Sequence, residues 1–318
     1  MFAEKMKKST LFNFIALVGV LSVLVQCEKE KIVSKQIEVP TKSQKDSAII
    51  IEKPEPVISY QAFLFPAKKK DSAIKAFNEK YTVEERYAIL ALNRLDSKNK
   101  RHADTLAVPD KIDTTLMSYS PFPSQLPIIK EVNKMVLFSY PIQAYALYEN
   151  GNLIKWGPTS MGKKSAQTKR GLMFANWKKE LAISTVKSEW KLPYNFNIHN
   201  TLGIGWHQYE LPGYPASHSC LRLLLDDAKF MYQWADAWIL NKGGATVKAN
   251  GTPVIVFGDY QWGGKKPWKN LINNPKANDI SVGELDELIK PHLDKILDEQ
   301  KKRAEVLALD QTQEKPAA

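Results

Sequence analysis

Hydrophobic and polar residues are distributed differently along three parts of this chain. From Leu11 to Val25 the run is almost wholly apolar, and residues 28–60 then carry Lys, Glu, Ser and Pro and few aromatics. From Gln61 onward the pattern becomes periodic. Thr82 followed by Glu85 reads as a capping box, and Tyr87, Ile89, Leu90 and Leu92 continue it as a helix ending at Asn93. Asp104 to Pro109 alternates as a short strand. Met135 to Ser139 and Gln143 to Tyr148 predict strands, and Asn150-Gly151 is a two-residue hairpin turn into Leu153-Ile154-Lys155-Trp156. Gly171 opens another strand, and Thr185 to Asn200 reads as an aromatic strand-and-loop cover. Asp226 is expected to cap a helix running to about Leu240, with Phe230, Met231, Trp234 and Trp238 as its packed face and Gly243-Gly244 as its stop. Thr252 to Phe257 predicts a buried strand. After a Gly, Pro and Lys-rich linker, Ser281 and Glu284 cap a helix, with Leu285, Leu288, Ile289, Ile296 and Leu297 on one face and a bend at Pro291. Docking of that helix on the main domain is the favoured reading, and partner binding the alternative. Short strands interspersed with few helices make the fold class α+β and β-rich. The 318 residues suit about two domains.

The N-terminus changes the picture. Lys5, Lys7 and Lys8 precede an apolar run too short for a confident membrane span, so residues 1–26 read as an export signal. The run ends at Leu24-Val25-Gln26-Cys27, which resembles a bacterial lipobox, although Gln26 replaces the usual small residue. This makes Cys27 a lipidation site and places the chain in the periplasm, anchored to the inner or outer membrane. An uncleaved signal anchor is the alternative. Residues 27–60 cannot bury enough surface to order themselves and are expected to form a flexible tether of roughly 100 Å at full extension. The formal charge of +11 suits an anionic partner. No zinc-finger, P-loop or aromatic ribonucleoprotein signature accompanies it, so nucleic acid is not expected.

Candidate chemistry gathers between His207 and Arg222, which hold two of the five histidines and the only cysteine besides Cys27. With Cys27 lipidated, Cys220 has no disulfide partner. Three readings remain. Two imidazoles and a thiolate could bind a metal, but His-x-Cys lacks the usual ligand spacing, and no metal is expected. All three could be buried structural residues. Or Cys220 could be a nucleophile served by an imidazole, lying between a Pro-rich approach and a helix start, with Arg222 able to grip a carboxylate.

The stretch Leu211-Pro212-Gly213-Tyr214-Pro215-Ala216-Ser217-His218-Ser219-Cys220-Leu221-Arg222-Leu223, with His207 upstream, resembles the Ser-His-Gly-Cys signature of the L,D-transpeptidases (YkuD type). The likeness extends over about residues 131–258. It implies a β-sandwich-like catalytic domain with a helix after the cysteine, and no cofactor. Cys220 would be the nucleophile and His207 the residue that activates it. Ser217 and His218 would orient the pair or line the site, Arg222 would stabilise the loop or bind the substrate's carboxylate, and Tyr214 and Ser219 would contact substrate. The implied reaction attacks the bond between the third and fourth residues of a peptidoglycan stem peptide. A thioester forms, and an amine on a neighbouring stem resolves it; carbapenems acylate the same cysteine. Residues 61–112 resemble a degenerate LysM-type peptidoglycan-binding module, with a plain packing subdomain as the alternative, and 259–318 form a linker and terminal helix. Two departures stand out. Thr168-Lys169-Arg170-Gly171 lacks the family's proline, and Ser219 replaces its glycine. At φ > 0 that serine would cost roughly 1–2 kcal/mol. His199 rivals His207 as the base. A wall-binding lipoprotein without turnover, or an L,D-carboxypeptidase using water, are the competing functions.

Overall fold

The computed structural model describes residues 58–184 and 187–313, so the export signal, Cys27 and most of the expected tether lie outside the described residues. The last residues of that tether are seated, because Tyr60 is buried and opens the first strand. Strand β1 (Tyr60–Leu64) is followed by α1 (Lys70–Lys80), α2 (Val83–Leu92) and β2 (Thr105–Pro109). The two strands pair antiparallel and the helices lie between them in sequence. The Thr82–Glu85 capping box forms as expected. Helix α1 was not anticipated; Ile74 and Phe77 are its only buried positions, too few to show a helical period in the sequence.

The larger body contains β3 (Met135–Ser139), β4 (Ala144–Glu149), β5 (Asn152–Pro158), β6 (Gly171–Phe174), β7 (Lys178–Ile183), β8 (Lys191–His199), β9 (Ile204–Gln208) and β10 (Leu221–Leu223). It continues with α3 (Leu225–Trp234), β11 (Ile239–Leu240), β12 (Val247–Ala249) and β13 (Pro253–Phe257). One sheet has the order β5-β4-β3-β13-β6 and the other β10-β9-β8-β7. Between them pack Val136 and Phe138 of β3, Tyr145 and Leu147 of β4, and Val254 and Val256 of β13. From the other side come Phe196, Trp206, Leu221 and Leu223. The alternate residues Met135, Leu137, Ala146, Tyr148 and Ile255 point to the opposite face. There they meet Leu92 and Ala107 of the small unit and Trp268, Leu285, Ile289 and Ile296 of the C-terminal segment. Burial on both faces explains why β3, β4 and β13 read as continuous apolar runs. The Asn150-Gly151 turn has φ of 47° and 77°, the paired positive values a two-residue hairpin needs.

The C-terminal helix divides as Pro291 predicts, into α4 (Val282–Ile289) with its Ser281–Glu284 capping box and α5 (Leu293–Gln313). It docks on the sheet. The helix after Cys220 differs from expectation at both ends. Its N-cap is Leu224, not Asp226, and it stops at Ala235, because the backbone of Asp236 is held by Thr252 in both directions, at 3.0 and 2.9 Å. The buried face is Asp227, Ala228 and Met231, whereas Phe230 is exposed. Gly243-Gly244 then turns β11 into β12 instead of ending a helix.

Candidate active site

Strands β9 and β10 run parallel, with Leu221 opposite Trp206 and Arg222 opposite His207. This register puts Cys220, one residue before β10, at the start of β9 and brings its thiol to the wall that His207 also lines. The thiol donates to the Gly203 carbonyl at 3.9 Å. Gly205 must be glycine here, since a Cβ would stand 2.5 Å from the Phe196 carbonyl on β8. Cys220 does not sit at a helix start as expected. Strand β10 intervenes, and α3 begins only at Leu225.

His207 is 4% exposed, and its Nδ1 lies 2.9 Å from the Gln208 carbonyl. A carbonyl can only accept, so Nδ1 carries the proton and Nε2 is left as the basic nitrogen. Burial pushes the imidazole down to about 4; the Gln208 hydrogen bond opposes this and the Arg222 charge adds to it. Burial pushes the Cys220 thiol up, against the pull of its Gly205 hydrogen bond and of Arg222. The resting pair at neutral pH is therefore thiol and neutral imidazole, not an ion pair.

The loop before the thiol is braced by main-chain contacts. Ser217, 2% exposed, donates its hydroxyl to the Cys220 carbonyl at 2.5 Å, and its backbone exchanges bonds with Met161 and Lys163. Thr168 donates its hydroxyl to the Ser219 carbonyl at 2.9 Å and accepts from the Gly162 amide. Ser219 itself has φ of 81°, the left-handed region that glycine would occupy without strain.

His218 lines the pocket from its rim, whereas Tyr214 does not line it. The exposed ring of His218 faces Trp190 at 5.0 Å, and its Nε2 accepts from Lys163 Nζ at 2.8 Å. Partial burial, then Lys163, Arg222 and Lys187, hold it below the usual imidazole value on this basic rim. Tyr214, expected to contact substrate, does not line the thiol's pocket; its ring has His102 at 6.5 Å and Lys266 over it at 5.6 Å. The Pro-rich bend that carries it turns toward the small unit. Arg222 does line the pocket, stacked on Tyr209 at 4.5 Å and donating to the Glu210 carbonyl at 3.3 Å. His199 lies at the end of β8, where Nδ1 accepts from the Leu202 amide and Nε2 meets Lys169.

The pocket is an open cleft of about 820 Å³, adjoining solvent included. Much of its remaining wall, Trp177, Trp190, Leu192 and Leu202, comes from the β7–β8 hairpin and the loop after it, which sequence reasoning placed only as a general cover. Strand β7 buries a single residue, Ala182, so it lacks the alternation that marks a half-buried strand; the flanking tryptophans were the available signal. Among the described residues no three His, Cys, Asp or Glu side chains converge as a metal-ligand set, and no helix is long and apolar enough to cross a membrane.

The family model of the L,D-transpeptidase catalytic domain, YkuD, matches residues 133–256. An L,D-transpeptidase from Stackebrandtia nassauensis aligns at 26% identity over 40% of this chain and 57% of its own, with a TM-score of 0.34. One from Mycobacterium smegmatis aligns at 19% identity over 40% of this chain and 59% of its own, with a TM-score of 0.32. An LD transpeptidase in complex with imipenem aligns at 18% identity over 39% of this chain and 59% of its own, with a TM-score of 0.32. The chain thus spans less than two thirds of the length of these solved structures. No curated protein sequence matches it.

Proposed function

We propose that this chain, whose residues 133–256 match the L,D-transpeptidase catalytic-domain model, is a cysteine acyltransferase acting on peptidoglycan stem peptides. The observation that carries the reading is the buried His207, with Nδ1 committed to Gln208, in one pocket with the Cys220 thiol. As the Cys220 sulfur attacks the carbonyl of the third stem residue, its proton passes to His207 Nε2. The tetrahedral intermediate collapses, the bond to the fourth, D-residue breaks, and the leaving amine takes the proton back from Nε2. An acceptor amine then attacks the thioester, surrenders a proton through His207, and releases the thiol with a new amide formed. Arg222 and the Lys163–Lys187 rim favour a substrate that bears a carboxylate. Residues 61–112 would hold the wall as a LysM-like module. A lipid on Cys27 would anchor the protein to a periplasmic membrane face.

Water in place of the acceptor amine would make the same site an L,D-carboxypeptidase. A non-catalytic wall binder is the reading that the strained Ser219 keeps in play. Purified protein is incubated with tetrapeptide muropeptides and, separately, with a carbapenem, and both are read by mass spectrometry. The expected result is cross-linked product and a covalent adduct on Cys220, both lost in Cys220→Ala with unchanged circular dichroism. Tripeptide alone assigns hydrolysis. Absence of both product and adduct overturns the enzyme reading.

A further inference from the structure

Thr168 is buried and does not line the thiol's pocket, yet its side chain reaches the peptide that precedes the thiol. Its hydroxyl accepts from the Gly162 amide at 3.0 Å, and its one proton goes to the Ser219 carbonyl at 2.9 Å. The loop that delivers this hydroxyl is packed without slack. A Cβ on Gly162 would stand 2.2 Å from the Ala166 carbonyl oxygen and 2.6 Å from the Thr168 nitrogen. The Tyr140 hydroxyl donates to the Gly162 carbonyl. Arg170, stacked on the Tyr140 ring at 3.7 Å, donates Nη1 to the Thr168 carbonyl. The main chain and the hydroxyl of Thr168 are thus both held in place before any substrate arrives.

Ser219 has φ of 81°, a conformation that a non-glycine residue keeps only when its surroundings impose it. The Thr168 bond is one such constraint, and it acts on the carbonyl of the peptide that joins Ser219 to Cys220. In a trans peptide the carbonyl and the following N–H point in opposite directions. With the Ser219 carbonyl turned to Thr168, the Cys220 N–H is therefore turned away from it. Ser219 and Cys220 line the pocket, whereas Thr168 stands behind them, so the side away from Thr168 is the side open to substrate. When the sulfur attacks a carbonyl, a C–S bond forms and the π pair of the C=O bond moves onto oxygen. The resulting oxyanion needs a fixed donor close to the sulfur, and the amide of Cys220 is carried by the same residue.

We propose that Thr168 is a positioning residue, which by holding the Ser219 carbonyl aims the Cys220 N–H at the oxyanion formed during acylation. This rests on the acyl-transfer reading of Cys220. Two reactions of the same thiol separate the role from plain support of the loop. Acylation by a carbapenem passes through an oxyanion, whereas alkylation by iodoacetamide displaces iodide at a saturated carbon and forms none. Both are followed at Cys220 of the full chain by peptide mass spectrometry, in the parent, Thr168→Val and Thr168→Ser. Thr168→Val is expected to lower the saturating acylation rate at least about tenfold. The half-saturating carbapenem concentration and the alkylation rate stay as in the parent, and Thr168→Ser, which keeps the hydroxyl, restores acylation. Thr168→Ala takes the place of the valine variant should that protein not fold. Acylation and alkylation falling together, or acylation unchanged, would mean that Thr168 only braces the loop, and would overturn the proposal. A parent that is alkylated but never acylated overturns the acyl-transfer reading, and the proposal with it.

Discussion

Ser219 offers a sharp test of the geometry beside the thiol. Its φ of 81° is a conformation in which an L-residue's Cβ crowds the following carbonyl, at a cost of roughly 1–2 kcal/mol. Only backbone bonds hold it there. Its carbonyl accepts from Thr168 Oγ1, and that bond survives when the side chain is removed. Ser219→Gly therefore relieves the strain and keeps the contact. Against this stands the larger freedom of glycine in the unfolded chain, about 0.4–1 kcal/mol. The net expectation is a stabilisation of about 0.5–1 kcal/mol, equivalent to roughly 1–4 °C in the thermal midpoint of a body this size. Ser219→Ala keeps a Cβ and should melt with the parent. Urea denaturation of the three proteins, followed by tryptophan fluorescence, gives the comparison directly. If Ser219→Gly is no more stable than Ser219→Ala, the left-handed strain does not exist and the loop geometry described for Cys220 is wrong.

The two histidines of the motif should separate kinetically. His207→Ala is expected to slow acylation of Cys220 by roughly 10²–10⁴-fold, while His218→Ala, which loses only a contact to Lys163 and Trp190, should change it far less; stopped-flow acylation with a chromogenic carbapenem reads both. Burial of His207 also sets a stability slope. Its folded value near 4 lies below the 6.5 of an exposed imidazole, so the unfolded chain binds the extra proton first as pH falls. Stability should thus drop between pH 6.5 and 4, by up to about 3 kcal/mol, and level off for this group below 4. Urea melts across that window should show a smaller acid slope in His207→Gln, and an equal slope would refute the assignment. Gly157→Ala should destabilise by about 1–3 kcal/mol in denaturant melts, since its Cβ would fall 2.7 Å from Asp227 Oδ2 and 2.8 Å from the Tyr145 ring.

What could be read from the sequence was what local physics decides. Both capping boxes need only a hydroxyl and a carboxylate three residues apart, and both formed. Strands β3 to β5 were legible because their burial is uniform and an Asn-Gly turn joins two of them. Helix α3 was misjudged because Asp227, a surface residue by type, is buried with its carboxylate 3.0 Å from Lys155 on a distant strand. No local pattern encodes that partner. Tyr214 lay near the cysteine in sequence, yet the Pro-Gly-Tyr-Pro bend carries it to His102 in the small unit. The choice between His199 and His207 turned on the same distinction. Both precede Cys220 in sequence, and the Gly203-Ile204-Gly205 run with the Leu-Pro-Gly-Tyr-Pro spacing that follows favours His207. Strand pairing places only His207 of the two in the pocket with Cys220. His199 is opposite Ile204 where β8 ends, while His207 is opposite Arg222 on the strand that begins one residue after the thiol. The register of two parallel strands, a non-local property, therefore determines which imidazole shares a pocket with the sulfur, and the hydrogen bond to Gln208 then determines which of its nitrogens can take the proton.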